Sequence, residues 1–196
     1  MRHLTSLVFA VIFLLAACSN NKTKDATKET DTETSGTNTS TNPAEDMAKV
    51  MEEMKKIPAL STDQIKALLP EELMGMKRSS FSANSMMGYG TGEATYKSED
   101  GKEIKLTIFD CAGPAGVGLY SMMYWGAMNM ESEDENGYKK TINFRSGKAI
   151  ESYEKYSDQY GLMFTSGNRL LVNVEGTGTG LEAVKQAAQN LNLNTN

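Results

Sequence analysis

Apolar and polar positions along this 196-residue chain change rhythm several times. Residues 7–17 form one unbroken apolar run, whereas residues 19–46 hold only Ala26 and Ala44 as apolar side chains. Met47, Val50, Met51, Met54 and Ile57 then recur at helical spacing. Asn42 suits an N-cap and Pro43 the first helical position. Glu45 and Asp46 suit the first turn, Lys55 and Lys56 the last, and Pro58 the stop. A second, short helix follows: Ser61 with Gln64 forms a capping box, Leu60 and Ile65 form a hydrophobic staple, and Pro70 ends the segment.

Beyond Pro70 the pattern switches to period two. Residues 77–84 and 92–98 read as strands, the second with Ala94 and Tyr96 on one face. In 103–111, Ile104, Leu106 and Ile108 alternate with Glu103, Lys105 and Thr107, the signature of a half-buried strand. A third helix falls within the apolar stretch after it. Strands are predicted again at 139–145, 148–154, 160–165 and 170–175, the last two joined by a turn in Thr165-Ser166-Gly167-Asn168-Arg169. Leu181, Val184, Ala188 and Leu191 form the stripe of a closing helix. Strands joined by short turns pair antiparallel. The expected fold is therefore α+β, a twisted antiparallel sheet of about six to seven strands packed against about four helices.

The N-terminus carries an address. Arg2 followed by the short apolar run suits a secretory signal, and the run is too short to span a bilayer, which takes about 20 residues. It ends in Leu15-Ala16-Ala17-Cys18, which resembles the lipobox of bacterial lipoproteins. The resemblance covers only these first residues. It implies cleavage of 1–17, a diacylglyceryl thioether on Cys18 and an acylated new N-terminus. Ser19, rather than aspartate, follows the cysteine; in enterobacterial lipoproteins this goes with the outer membrane, facing the periplasm or the surface. Residues 18–43 are expected to be a disordered Thr/Ser/Asn-rich tether and 44–196 a single globular domain.

Composition then removes chemistry. Without Arg2 there are 19 basic residues against 25 acidic ones, with no basic patch for nucleic acid. The one histidine, His3, lies in the signal, so the mature chain has no imidazole for a zinc site or a Ser-His-Asp triad. With Cys18 lipidated, Cys111 has no disulfide partner and no histidine to activate it; it reads as a small buried residue at a strand end. Glycine loops at 113–118 and 176–180 lack both the GxGxxG spacing and a Walker lysine. The stretch Ser132, Asp134, Asn136, Gly137 resembles the opening of an EF-hand loop, but Ser132 and Asn143 stand where acids are needed at its ends; a solvated loop is the expectation. No spacing singles out a catalytic carboxylate pair, which ranks a hydrolase last.

Methionine is the unusual ingredient, with 13 residues. Met74-Gly75-Met76 and Met128-Asn129-Met130 have the M-x-M form of soft Cu(I) ligands, against the commoner duty of filling irregular cores. Residues 118–130 hold only Ser121 and Asn129 as polar side chains apart from the tyrosine and tryptophan handles. Helical spacing puts Val117, Tyr120, Tyr124 and Met128 on one face, and a helix apolar all round calls for burial all round. Tyr120, Met123, Tyr124, Trp125 and Met128 are the candidate binding surface, because tyrosine and tryptophan pair a large apolar body with one polar handle. The functional expectation is a lipid-anchored, non-catalytic envelope module binding a protein partner or an apolar ligand, with no cofactor. The alternative is a methionine-based Cu(I) binder.

Overall fold

A computed structural model describes residues 43–86 and 88–195. The signal 1–17, Cys18 and residues 19–42 lie outside the described residues. In chain order the elements are α1 Pro43–Lys56, α2 Thr62–Ala67, β1 Glu72–Leu73, β2 Met76–Met86, β3 Tyr89–Lys97, β4 Glu103–Asp110 and α3 Val117–Gly126. They continue with β5 Glu131–Asp134, β6 Gly137–Phe144, β7 Gly147–Glu154, β8 Gln159–Ser166, β9 Leu170–Thr177 and α4 Leu181–Asn190.

The α+β class holds, but the sheet has nine strands rather than six to seven, in the order β1-β2-β3-β4-β9-β8-β7-β6-β5. The two unanticipated strands lie at its ends. β1 is two residues long and turns into β2 through Met74 and Gly75, both at positive φ (55° and 75°), as a type I′ hairpin requires. β5 is Glu-Ser-Glu-Asp, exposed along its whole length, so no apolar alternation marks it. Backbone pairing to β6 holds it, and Asp134 Oδ1 accepts from the amides of Asn136 and Gly137 to close the turn. The stretch that resembles an EF-hand is thus an edge hairpin, in which neighbouring side chains leave opposite faces.

All pairing is antiparallel. β1 to β4 form one meander, β5 to β9 another, and α3 carries the chain between them so that β4 meets β9 in register from Glu103↔Thr177 to Asp110↔Leu170. Period two assigns the faces. Ile104, Leu106 and Ile108 of β4 and Leu170, Val172 and Val174 of β9 share a core with Ile65 and Leu69 of the α2 segment and Val184 and Ala188 of α4. Phe109 and Leu171 have the opposite phase and pack with Met47 and Met54 of α1 and Val117 and Tyr120 of α3. Both faces therefore carry a helical layer.

Local signals explain how the helices seat. The Ser61–Gln64 capping box forms as expected, with Gln64 N donating to Ser61 Oγ at 3.3 Å and Ser61 N donating to Gln64 Oε1 at 3.0 Å. α2 lies close on β3 because Gly92 has no side chain; a Cβ there would come within 2.7 Å of Ile65 Cγ2. α4 ends under Arg145, whose Nη2 donates to Ala188 O at 2.6 Å and reaches Gln189 O and Leu191 O at 3.3 Å. A cation at the carbonyl end of a helix satisfies groups that the helix itself leaves open. Among the described residues no helix is long and apolar enough to cross a membrane.

Candidate binding cleft

α3 ends at Gly126, one residue before Ala127, so Met128 lies beyond the helix rather than on its face. It still faces the same space as the helix. Tyr120, Tyr124 and Met128 form one wall of a cleft of about 470 Å³. The opposite wall comes from two hairpin turns: Arg145 to Lys148 between β6 and β7, and Ser166 to Asn168 between β8 and β9, with Thr165 at its base. Arg145 and Asn168 adopt positive φ (51° and 47°), which bends both turns sharply at the cleft rim. Three stretches of chain, 120–128, 145–148 and 165–168, thus converge on one opening.

The floor is fixed. Tyr120 is buried and hydrogen-bonded with Thr165; burial, the larger influence, raises its hydroxyl pKa against that bond. The rim carries the charge. Lys148 Nζ donates to Asn143 Oδ1 at 2.8 Å, and Arg145 is held by α4. Among the described residues no acidic side chain lines the cleft. Rings and a thioether on one side, with hydroxyls and backbone of two turns on the other, suit a small ligand with an apolar body.

Of the candidate surface, Tyr120, Tyr124 and Met128 come together here. Met123 instead packs in the cluster between α1 and the sheet. Trp125 belongs to α3, and its side chain lies outside the described residues, as does Cys18. Met122, on the other side of α3, is 68% exposed, so the helix is not buried all round. A second cavity of about 450 Å³ runs over β5 to β9 between Ser132, Asp134, Lys139, Ser152, Gln159 and Glu175. Tyr138 and Tyr153 also line it, but its acids Asp134, Glu154 and Glu175 set it apart from the α3 cleft.

The methionines divide between duties. Met47, Met51, Met54, Met123 and Met163 gather with Cys111 in the α1–α3 cluster. Met74 and Met76 pack against the main core, where Met74 Sδ accepts from Asn190 Nδ2 at 3.6 Å. Among the described residues no three His, Cys, Asp or Glu side chains converge as a metal site. Cys111 is fully buried; burial first, and the Asp110 charge second, push its thiol up to about 12. Thiol reagents at about pH 8 should leave it unmodified in the folded protein and react with it fully in denaturant. Counting reactive thiols in the native chain also reads out Cys18: none if it carries lipid, one if it is free.

Two buried ionic clusters escaped the sequence pattern. Asp110, at the end of β4, takes Arg169 Nε on Oδ1 at 2.7 Å and Arg169 Nη2 on Oδ2 at 2.9 Å. Its carboxylate also accepts from Leu60 N at 2.6 Å and Ala112 N at 3.2 Å, while Arg169 donates to Pro58 O at 2.8 Å. Glu151 of β7 is 2% exposed and meets Lys185 Nζ at 2.9 Å, Lys140 Nζ at 3.2 Å and the Tyr138 hydroxyl at 3.0 Å. Each carboxylate is satisfied by the partners named and neither lines the cleft. No protein-family model, curated protein or solved structure matches the chain.

Proposed function

We propose that this protein is a lipid-anchored lipoprotein of a bacterial envelope, expected at the outer membrane, whose folded domain is a non-catalytic module that binds an apolar ligand in the α3 cleft. The observation that carries the reading is the meeting of Tyr120, Tyr124 and Met128 with two sharp turns around about 470 Å³. Helix and turns supply rigid walls, and rings give contact area at little entropic cost. Two further points support a binding role. The chain has no histidine after His3, and the two buried carboxylates among the described residues, Asp110 and Glu151, are engaged by arginine or lysine rather than poised at an opening. The anchor rests on Leu15-Ala16-Ala17-Cys18.

Native mass spectrometry tests this on the Pro43–Asn196 unit, released from the envelope fraction by cleavage ahead of Pro43, free of detergent and added metal. The expected result is an added mass on the order of several hundred daltons, lost in Tyr124→Ala and Met128→Ala. One added copper in its place would transfer the role to the methionine reading, with Met128 and Met130 substituted next. A bare mass would overturn the small-ligand reading and leave a protein partner.

A further inference from the structure

The charge of the α3 cleft runs against that of the chain that carries it. The whole protein has net charge -5, with 25 acids against 20 bases. Yet Arg145 and Lys148 line the cleft and, among the described residues, no acid does. The two cations differ in what they offer. Arg145 turns toward α4, where its Nη2 serves the carbonyls of Ala188, Gln189 and Leu191. Its guanidinium lies 5.2 Å from the ring centroid of Phe164 and 5.9 Å from that of Phe144, two rings of the core that α4 covers. It lends the cleft its field more than its donors.

Lys148 leaves the sheet on the other side. In β7, Ala149 and Glu151 are buried toward α4, so strand alternation puts Lys148 on the opposite face. That face carries Thr165 and Leu171, a cross-strand pair, and α3 packs on it through Tyr120, which bonds with Thr165. Across β6 the partner of Lys148 is Asn143, whose Oδ1 accepts from Nζ at 2.8 Å. Lys140 and Lys185 both meet the Glu151 carboxylate, whereas Lys148 meets a neutral amide and, among the described residues, no carboxylate. An ammonium has three donors, and Asn143 takes one. Lys148 is exposed, so the others reach the opening.

We propose that the cleft takes an amphipathic anion, its apolar body against Tyr120, Tyr124 and Met128 and a carboxylate or phosphate oxygen on Lys148 Nζ. The inference rests on the apolar-ligand reading of the cleft and names the head group that such a ligand carries. Low-dielectric walls focus the field of a cation at their mouth, and an ammonium–oxyanion hydrogen bond is about twice as strong as a neutral one. The hydroxyls of Ser146 and Ser166 and the amide of Asn168 line the same rim and complete a shell of donors. The floor supplies no counter-charge: burial raises the Tyr120 hydroxyl above its ordinary value, so it stays protonated and neutral. The same charge weighs against Cu(I) on Met128, because the metal ion would share one opening with an ammonium.

Ser40 to Asn196 forms one compact unit, and every described element lies within Pro43–Asn196. Isothermal titration calorimetry on that unit, with a cooperative urea transition required of each variant, compares octanoate, octyl phosphate and octan-1-ol at concentrations that form no micelles. The expected result is that one or both anions bind about tenfold tighter than the alcohol, the tighter anion naming the head group. The preference should vanish in Lys148→Met and persist in Lys148→Arg, whereas Tyr124→Ala should weaken all three probes alike. Equal binding of the three to the parent overturns the anionic head group and leaves the apolar cleft standing. A preference that survives in Lys148→Met overturns the role of Lys148. Binding that Tyr124→Ala leaves unchanged lies outside the cleft and overturns the inference. Failure of every probe to bind removes the apolar-ligand reading, and this inference with it.

Discussion

Asp110→Ala is expected to destabilise the protein by about 3–5 kcal/mol, the largest single effect of any polar substitution in the fold. The side chain is wholly buried and Arg169 is 9% exposed. Removing the carboxylate strands a guanidinium in a low-dielectric site and takes the acceptor from Leu60 N and Ala112 N. An unpaired buried charge costs far more than the pair contributes in net terms. Urea denaturation followed by circular dichroism measures the change. The double variant Asp110→Leu, Arg169→Met should recover part of the loss, because it leaves no charge behind. Equal losses in the single and double variants would show that the hydrogen bonds to Leu60 and Ala112, rather than the stranded charge, dominate.

The second large effect is pH-linked and belongs to Glu151. Burial alone raises its carboxyl pKa, but hydrogen bonds from Lys185, Tyr138 and Lys140 outweigh burial, and the folded pKa lies below the ordinary glutamate value. A lowered folded pKa means the unfolded state binds the proton more readily. The contribution is therefore complete above the unfolded pKa of about 4.3 and is lost as pH falls through the folded value. Glu151→Gln should cost about 1–3 kcal/mol at neutral pH. Lys140 and Lys185 are partly exposed and can turn to water, which keeps this below the Asp110 effect. The gap between variant and parent should close as the pH drops below about 4. Urea midpoints across that range check it; a constant gap would assign the loss to packing instead.

The same pair of clusters marks where sequence reading stops. Local rules were enough wherever one segment's own chemistry decides its structure. The Ser61–Gln64 box, the alternation of β4 and the Val184–Ala188 stripe of α4 each lie within a few residues and appear in the structure as read. β5 failed that test because its pairing is all backbone, and Glu-Ser-Glu-Asp alternates nothing. Asp110 and Arg169 are 59 residues apart, so their union is a product of topology. Glu151 sits at an ordinary inward position of β7 and becomes exceptional only when Lys140 and Lys185 arrive from other elements. The cleft was half legible. An apolar run announced Tyr120, Tyr124 and Met128, whereas the wall built by 145–148 and 166–168 comes from turns that look like any others.

The junction of β4 with β9 has a consequence for how the molecule comes together. Every other strand pair among the described residues joins neighbours in sequence through a short turn, and each can zip without searching. The β4–β9 pairing alone brings together Asp110 and Leu170, with α3 and four strands looped out between them. Closing so long a loop is slow relative to a hairpin, because its entropy is lost before any contact rewards it. The rate of folding is thus set at one seam, between two halves whose local order forms early. Arg169, immediately ahead of β9, clasps the last residue of β4 at the end of that seam. The same ion pair that holds the finished core thus also fixes the end of the seam at which the looped-out chain is shortest.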